Sequence, residues 1–153
     1  MSIIIADSRE QKNEHILKYF DKHQIPYVIR ALDTADYMMD DNKLSIRVER
    51  KKDLAELAHN LLSRDRGRFY REIRRAHNMG IKLYIVCEHG KGIESIEDVA
   101  KWENKYGKVT GKQLREAIFQ CAIRYGCEFK FCNKRQTGKI IYEILSNGEV
   151  STK

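Results

Sequence analysis

Between residues 35 and 51 the side chains change character at almost every second position, and that alternation limits what the segment can become. The Asp40-Asp41-Asn42-Lys43 stretch reads as a turn, because short acidic and amide side chains satisfy nearby backbone there. A symmetric loop over these positions sets Met39 opposite Leu44 and Asp36 opposite Arg47. Side chains alternate faces along a strand, so Tyr37, Met39, Leu44, Ile46 and Val48 share one apolar face. Asp36, Ser45, Arg47, Glu49 and Lys51 share the other. The expected hairpin buries one side and presents a charged constellation on its opposite side.

On the charged face Asp36 and Glu49 become diagonal cross-strand neighbours, roughly 7–8 Å apart at the backbone. Two carboxylates at that spacing can reach one hard cation such as Mg²⁺, which prefers oxygen ligands and keeps several waters. Lys51 lies two residues past Glu49 and points the same way. An ammonium there can orient or deprotonate a metal-bound water, or stabilise charge building on a phosphate. That division of labour is the chemistry of metal-assisted phosphodiester hydrolysis. Asp7, ending the first strand, is placed to add a third carboxylate. A salt-bridged strand end accounts for the same residues without any chemistry, and the pattern alone leaves both open. Asp53 has a simpler role, since Asp53 and Glu56 form a D-x-x-E helix cap.

Strands and helices alternate through the rest of the chain. Residues 3–6 form a β-branched run ending at Asp7. Residues 14–22 carry Ile16, Leu17 and Phe20 on one helical face, and Pro26 opens an extended segment at 27–31. A helix follows the Asp53 cap with Leu54, Leu57, Ala58, Leu61 and Leu62 at helical spacing. A second, about residues 66–78, turns Phe69, Ile73 and Ala76 inward. Residues 81–87 and 127–132 read as strands. Helices are expected from Ser95 to about Glu103 and after the Thr110-x-x-Gln113 cap, where Leu114, Ala117, Ile118 and Cys121 form the stripe. A last helix holds Ile140, Ile141, Ile144 and Leu145 and stops at Asn147-Gly148. The class is α/β, a central mixed sheet flanked by helices, as one domain over residues 1–148 with a tail at 149–153.

No apolar run approaches the roughly 18 residues of a membrane span. The start, MSIIIADSRE, lacks a basic segment followed by a long apolar one, so no signal peptide and a cytoplasmic location are expected. Cys87, Cys121, Cys127 and Cys132 contain no CxxC pair; reduced thiols are expected and a zinc site is not. The net charge of +7 favours a polyanionic partner. Six arginines fall in the twelve residues 64–75, RDRGRFYREIRR. Arg68, Arg71 and Arg75 follow i, i+3, i+7 on a face other than that of Phe69 and Ile73. Such a stripe contacts phosphates and sets position without reading sequence, or else is a solvated face. Its nearness to the carboxylates favours DNA, with Arg64, Arg66, Arg68, Arg71 and Arg75 as contacts.

Several ordered motifs also match a family. DSRE at 7–10, ADY at 35–37 and VERK at 48–51 resemble the D-x-R-E, GDY and (V/I)ERK elements of the XPF-type nuclease domain. RGRFYREI at 66–73 resembles that domain's arginine-rich segment after the catalytic strand. Order and spacing agree across residues 3–89, and the strand at 127–131 and closing helix at 136–146 look similar too. The resemblance implies a restriction-endonuclease-like fold and a Mg²⁺- or Mn²⁺-dependent endonuclease cutting branched or flapped DNA near a single-strand/double-strand junction. It makes Asp36 and Glu49 the metal-binding acids, Lys51 the catalytic lysine and Asp7 an outer acid. Arg9 and Arg50 match arginines near the scissile phosphate, although Arg50 points away from Glu49 in an ideal strand.

Two positions depart from the family pattern. Ala35 stands where the family has glycine, a mild change for a strand residue. A later family acid falls on Ala55, which leaves Asp53 or Glu56 to supply it. There is no room after residue 150 for a helix-hairpin-helix module and no Gly-rich phosphate loop, so a stand-alone nuclease domain of bacterial or phage type is expected. Relatives often dimerise, which points to the Phe69/Ile73 helix or the C-terminal helices, and an accessory protein is another expected partner. The competing reading is a nuclease-fold DNA-binding subunit without catalysis.

Overall fold

The middle of the sheet has apolar side chains on both faces, and this forces helices onto both sides. The computed structural model describes residues 2–150. Its strands are β1 (Ile4–Asp7), β2 (Tyr27–Arg30), β3 (Tyr37–Met39), β4 (Ile46–Lys51), β5 (Lys82–Cys87) and β6 (Glu128–Phe131). Its helices are α1 (Glu14–Lys22), α2 (Leu54–Leu62), α3 (Arg66–Asn78), α4 (Ile96–Val99), α5 (Gly111–Tyr125) and α6 (Thr137–Asn147). The sheet order is β2-β1-β3-β4-β5-β6. β1 runs parallel to β2 and antiparallel to β3, β3 is antiparallel to β4, and β4, β5 and β6 are parallel. This is the expected mixed sheet.

In β5, Tyr84 and Val86 join Ile16, Phe20, Ile141 and Ile144 in the core under α1 and α6. Leu83, Ile85 and Cys87 join Leu57, Leu61, Phe69 and Ile118 in the core under α2, α3 and α5. Leu54, Leu57 and Leu61 are fully buried, and each such side chain contributes about 1.5–3 kcal/mol. Asp53 caps α2 by accepting the Glu56 N–H at 2.8 Å. Thr110 and Gln113 form a reciprocal capping box on α5, and Gly126 ends that helix at φ 66°. All four cysteines are free and buried.

Several expectations change. Tyr37 pairs with Val48 and Met38 with Arg47, so the register is displaced by two residues. The connection occupies residues 40–45, with Asn42 and Ser45 in left-handed backbone at φ 50° and 51°. A shift of two preserves parity. Tyr37, Ile46 and Val48 therefore keep the expected apolar face, whereas Leu44 lies in the loop and is 49% exposed. The charged face is not open to solvent either. Arg47, Glu49 and Lys51 are buried on the side that α2 and α3 cover.

Ala35 is not a strand residue. It sits in a bend at φ 64°, which is costly for any residue bearing a Cβ, so alanine there is not a mild replacement for glycine. The helix expected from Ser95 to about Glu103 is the single turn α4. Phe69 and Ile73 are core residues and leave no apolar face on α3 for a second copy. Residues 151–153 of the expected tail lie outside the described residues.

Candidate active site

Asp36 is placed by backbone bonds on two sides. Its N–H donates to Val48 O at 2.9 Å, and its carbonyl accepts the Asp7 N–H at 2.8 Å. Extending the β3–β4 register brings Asp36 directly opposite Glu49, closer than the expected diagonal. The Asp36 carboxylate accepts the Arg50 backbone N–H at 2.8 Å. Glu49 Oε2 lies 3.1 Å from Lys51 Nζ, and that ammonium sits over the Phe69 ring, 4.6 Å from its centroid. The structure thus brings Asp36, Glu49 and Lys51 together.

Burial disfavours the charges on both acids. It raises the Asp36 pKa well above the ordinary range, and the negative charges of Glu49 and Glu10 raise it further, against the Arg50 N–H and Lys51. Burial pushes Glu49 up to about 7, since Glu72 and Glu10 add to burial and outweigh the attraction of Lys51. Lys51 moves upward because Glu49 and Glu56 overcome its own desolvation, so it stays charged. Two buried oxygen acids with disfavoured charge suit a hard divalent cation that retains most of its water. Among the described residues, no three His, Cys, Asp or Glu side chains converge into a metal cage.

Extending the β1–β3 register places Asp7 opposite Asp36, on the same face of the sheet. The Asp7 carboxylate holds Arg9 through contacts of 3.1 and 3.2 Å and accepts the Leu32 N–H at 2.8 Å. Those donors outweigh burial and lower its pKa. The Arg9 guanidinium balances its charge.

Arg50 leaves the strand on the opposite side from Glu49, and its side chain is 8% exposed. It donates to Glu10 at 2.7 and 3.0 Å, to the Gln11 carbonyl at 2.6 Å, and to Glu88. Glu88 is fully buried and also meets His15 at 2.8 Å, while Glu10 accepts the Tyr37 hydroxyl at 2.9 Å. Glu10, Glu72 and Glu88 are absent from the residues expected at the site. Glu10 could have been found inside the DSRE motif and Glu88 as the acid directly after β5. Glu72 carries no such signal within the arginine-rich helix.

Arg64, Arg68 and Arg71 line a cleft of about 840 Å³ together with Lys51 and Glu56. Arg66 and Arg75 lie outside it; Arg66 donates to Ser63 O at 3.2 Å, and Arg75 sits 3.7 Å from Asp33. Arg9 and Arg50 border a neighbouring cleft that also includes Glu56. Asp53 is occupied as the α2 cap, so Glu56 is the acid presented to both clefts.

The ERCC4 domain family model matches residues 6–144. No curated protein matches the chain. Among solved structures, XPF from Aeropyrum pernix aligns with TM-score 0.72 and 17% identity, over 97% of this chain and 62% of that chain. A structure titled as the same protein in complex with DNA aligns with TM-score 0.72 and 17% identity, over 99% of this chain and 68% of that one. This chain therefore spans under two thirds of the first structure's length. At that identity the likeness shows the fold, which is restriction-endonuclease-like. Among the described residues no helix is long and apolar enough to cross a membrane. With the family model covering nearly the whole chain, and the DSRE, ADY and VERK segments meeting on one sheet, the protein belongs to the ERCC4 domain family of nucleases.

Proposed function

We propose that the protein is a metal-dependent DNA endonuclease that hydrolyses phosphodiester bonds in branched, flap or junction DNA. The observation that carries this reading is the Asp36–Glu49–Lys51 cluster beside a cleft lined by three arginines. Asp36 and Glu49 are the residues that would hold Mg²⁺ or Mn²⁺. Bound there, the ion supplies Lewis acidity at the phosphate and a more acidic water. Lys51 keeps its charge and offsets the negative charge that builds on the phosphorus oxygens. Arg64, Arg68 and Arg71 hold the neighbouring backbone. The basic chain attracts DNA whatever its sequence.

The test is a panel of labelled flap, fork, junction and duplex DNAs incubated with Mg²⁺ or with EDTA. Cleavage only with the metal, strongest on the branched substrates, is expected. A DNA-binding subunit without catalysis is the second reading, favoured by the carboxylate-saturated state of Arg50. Binding without any cut across the panel selects it.

Two further results are expected. Reversing charge with Arg68→Glu and Arg71→Glu weakens binding to all sequences alike and lowers the salt slope by about 1 for each phosphate no longer neutralised. Unchanged binding removes α3 from the interface. Second, the free carboxyl of Glu49, raised to about 7, holds a proton that the metal must displace. Mn²⁺ affinity should therefore rise by up to about tenfold per pH unit below that value and level off above it. A calorimetric profile that is flat between about pH 6 and 8 contradicts this assignment.

A further inference from the structure

A second groove adjoins the cleft at Arg50 and differs from it in chemistry. It is about 680 Å³ in volume and runs between the loop after β5, residues 102–106 and the turn at 133–134. Lys52 and Lys134 line both spaces, so the two are neighbours. Lys91 and Lys105 add two more ammonium groups to the groove. None of these four lysines has a carboxylate partner among the described residues. Two of the groove's acids are already engaged, Asp53 as a helix cap and Glu88 with Arg50 and His15. Glu103 is the remaining acid, and the four lysines outnumber the groove's carboxylates, so its lining carries a positive excess.

Two aromatic side chains line it, Tyr106 exposed and Trp102 packed in part against the core under α2, α3 and α5. Tyr106 is 85% exposed. The loop that carries it is ordered from within, since Asn104 donates to Val109 O at 3.0 Å and accepts the Tyr106 N–H at 2.9 Å. Trp102 is partly buried, held edge-on against His89 with ring centroids 6.3 Å apart. His89 is in turn fixed by accepting the Leu54 N–H at 3.0 Å. An exposed ring on a braced loop and a fixed indole among unpaired cations match what single-stranded nucleic acid needs, with π-faces for unstacked bases and ammonium groups for the backbone. A rigid duplex, its bases already stacked, gains nothing from the rings.

We propose that this groove is a track for single-stranded DNA, with bases stacking on Tyr106 and Trp102 and phosphates on Lys52, Lys91, Lys105 and Lys134. It rests on the nucleic-acid reading above and extends it. The Arg64/Arg68/Arg71 cleft takes backbone on one side of the candidate site, and this groove receives an unpaired strand on the other.

Trp102 is the only tryptophan in the chain, so intrinsic fluorescence reports on the groove directly. The probes are an oligo-dT of about fifteen nucleotides, oligo-rU of the same length and a blunt duplex, titrated in EDTA. The oligo-dT is expected to quench Trp102. Tyr106→Ala, at a position exposed enough to spare the fold, should weaken oligo-dT binding about 5- to 100-fold and leave duplex affinity unchanged. Lys105→Glu should flatten the salt dependence of oligo-dT binding. Wild-type affinity for oligo-dT in Tyr106→Ala, or no quenching at saturation, overturns the track. Tighter binding of oligo-rU than oligo-dT overturns its assignment to DNA. Quenching that persists while the Mg²⁺ panel shows no cleavage removes the nuclease reading and keeps the groove.

Discussion

Asp36→Asn and Glu49→Gln are each expected to reduce Mg²⁺-dependent cleavage by about three orders of magnitude, the equivalent of about 4 kcal/mol. Both amides keep an oxygen where the carboxylate was, so the Arg50 N–H and the Lys51 ammonium retain an acceptor. What disappears is the negative charge that a cation needs. The same change should not harm the fold. As pH rises from the ordinary glutamate range to about 7, the folded state keeps a proton on Glu49 that the unfolded chain has released. Stability therefore falls across that window, and glutamine removes the fall. At pH 8 without metal, Glu49→Gln should melt at or above the wild-type temperature. Cleavage that survives either substitution at wild-type rate ends the catalytic reading.

Replacing Arg50 should act in the opposite direction, on stability first. Arg50→Met leaves Glu10 and the fully buried Glu88 without their shared cation. Breaking a buried ion pair from one side costs about 3–5 kcal/mol, because the remaining charge is uncompensated. In a domain of this size that lowers the melting temperature by about 10 °C. His15 also loses order, since it bonds the same Glu88 carboxylate. Thermal unfolding of Arg50→Met beside wild type measures this directly. A variant that melts normally yet fails to cleave places the guanidinium at the phosphate and removes its structural role.

The sequence exposes the candidate site better than it exposes the hairpin that carries it. Met39 does not meet Leu44 because Asn42 and Ser45 take left-handed backbone and lengthen the connection; asparagine favours that conformation, but nothing in the side chain of Ser45 announces it. Asp36, Glu49 and Lys51 still share a face because the register differs by an even number of residues. Arg50 is legible in part: strand parity turns it away from Glu49, which is where it is found. Its partners are not legible, since Glu10 and Glu88 lie 40 and 38 residues away and meet it only after the sheet forms. The burial of the charged face is hidden for the same reason. Alternation along β4 looks like a strand with one wet face until α2 and α3 are folded over it.

The bend at Ala35 has a consequence for how still the neighbouring carboxylate is held. A left-handed backbone costs an L-residue about 1–2 kcal/mol relative to its relaxed form, and glycine would release that energy. Glycine would also widen the range of backbone angles open to the bend. Alanine occupies a narrow basin there, and its N–H is tied to Glu72 at 3.3 Å. The residue before Asp36 thus acts as a stiff spring: it trades melting temperature for a smaller angular spread of the acid it precedes.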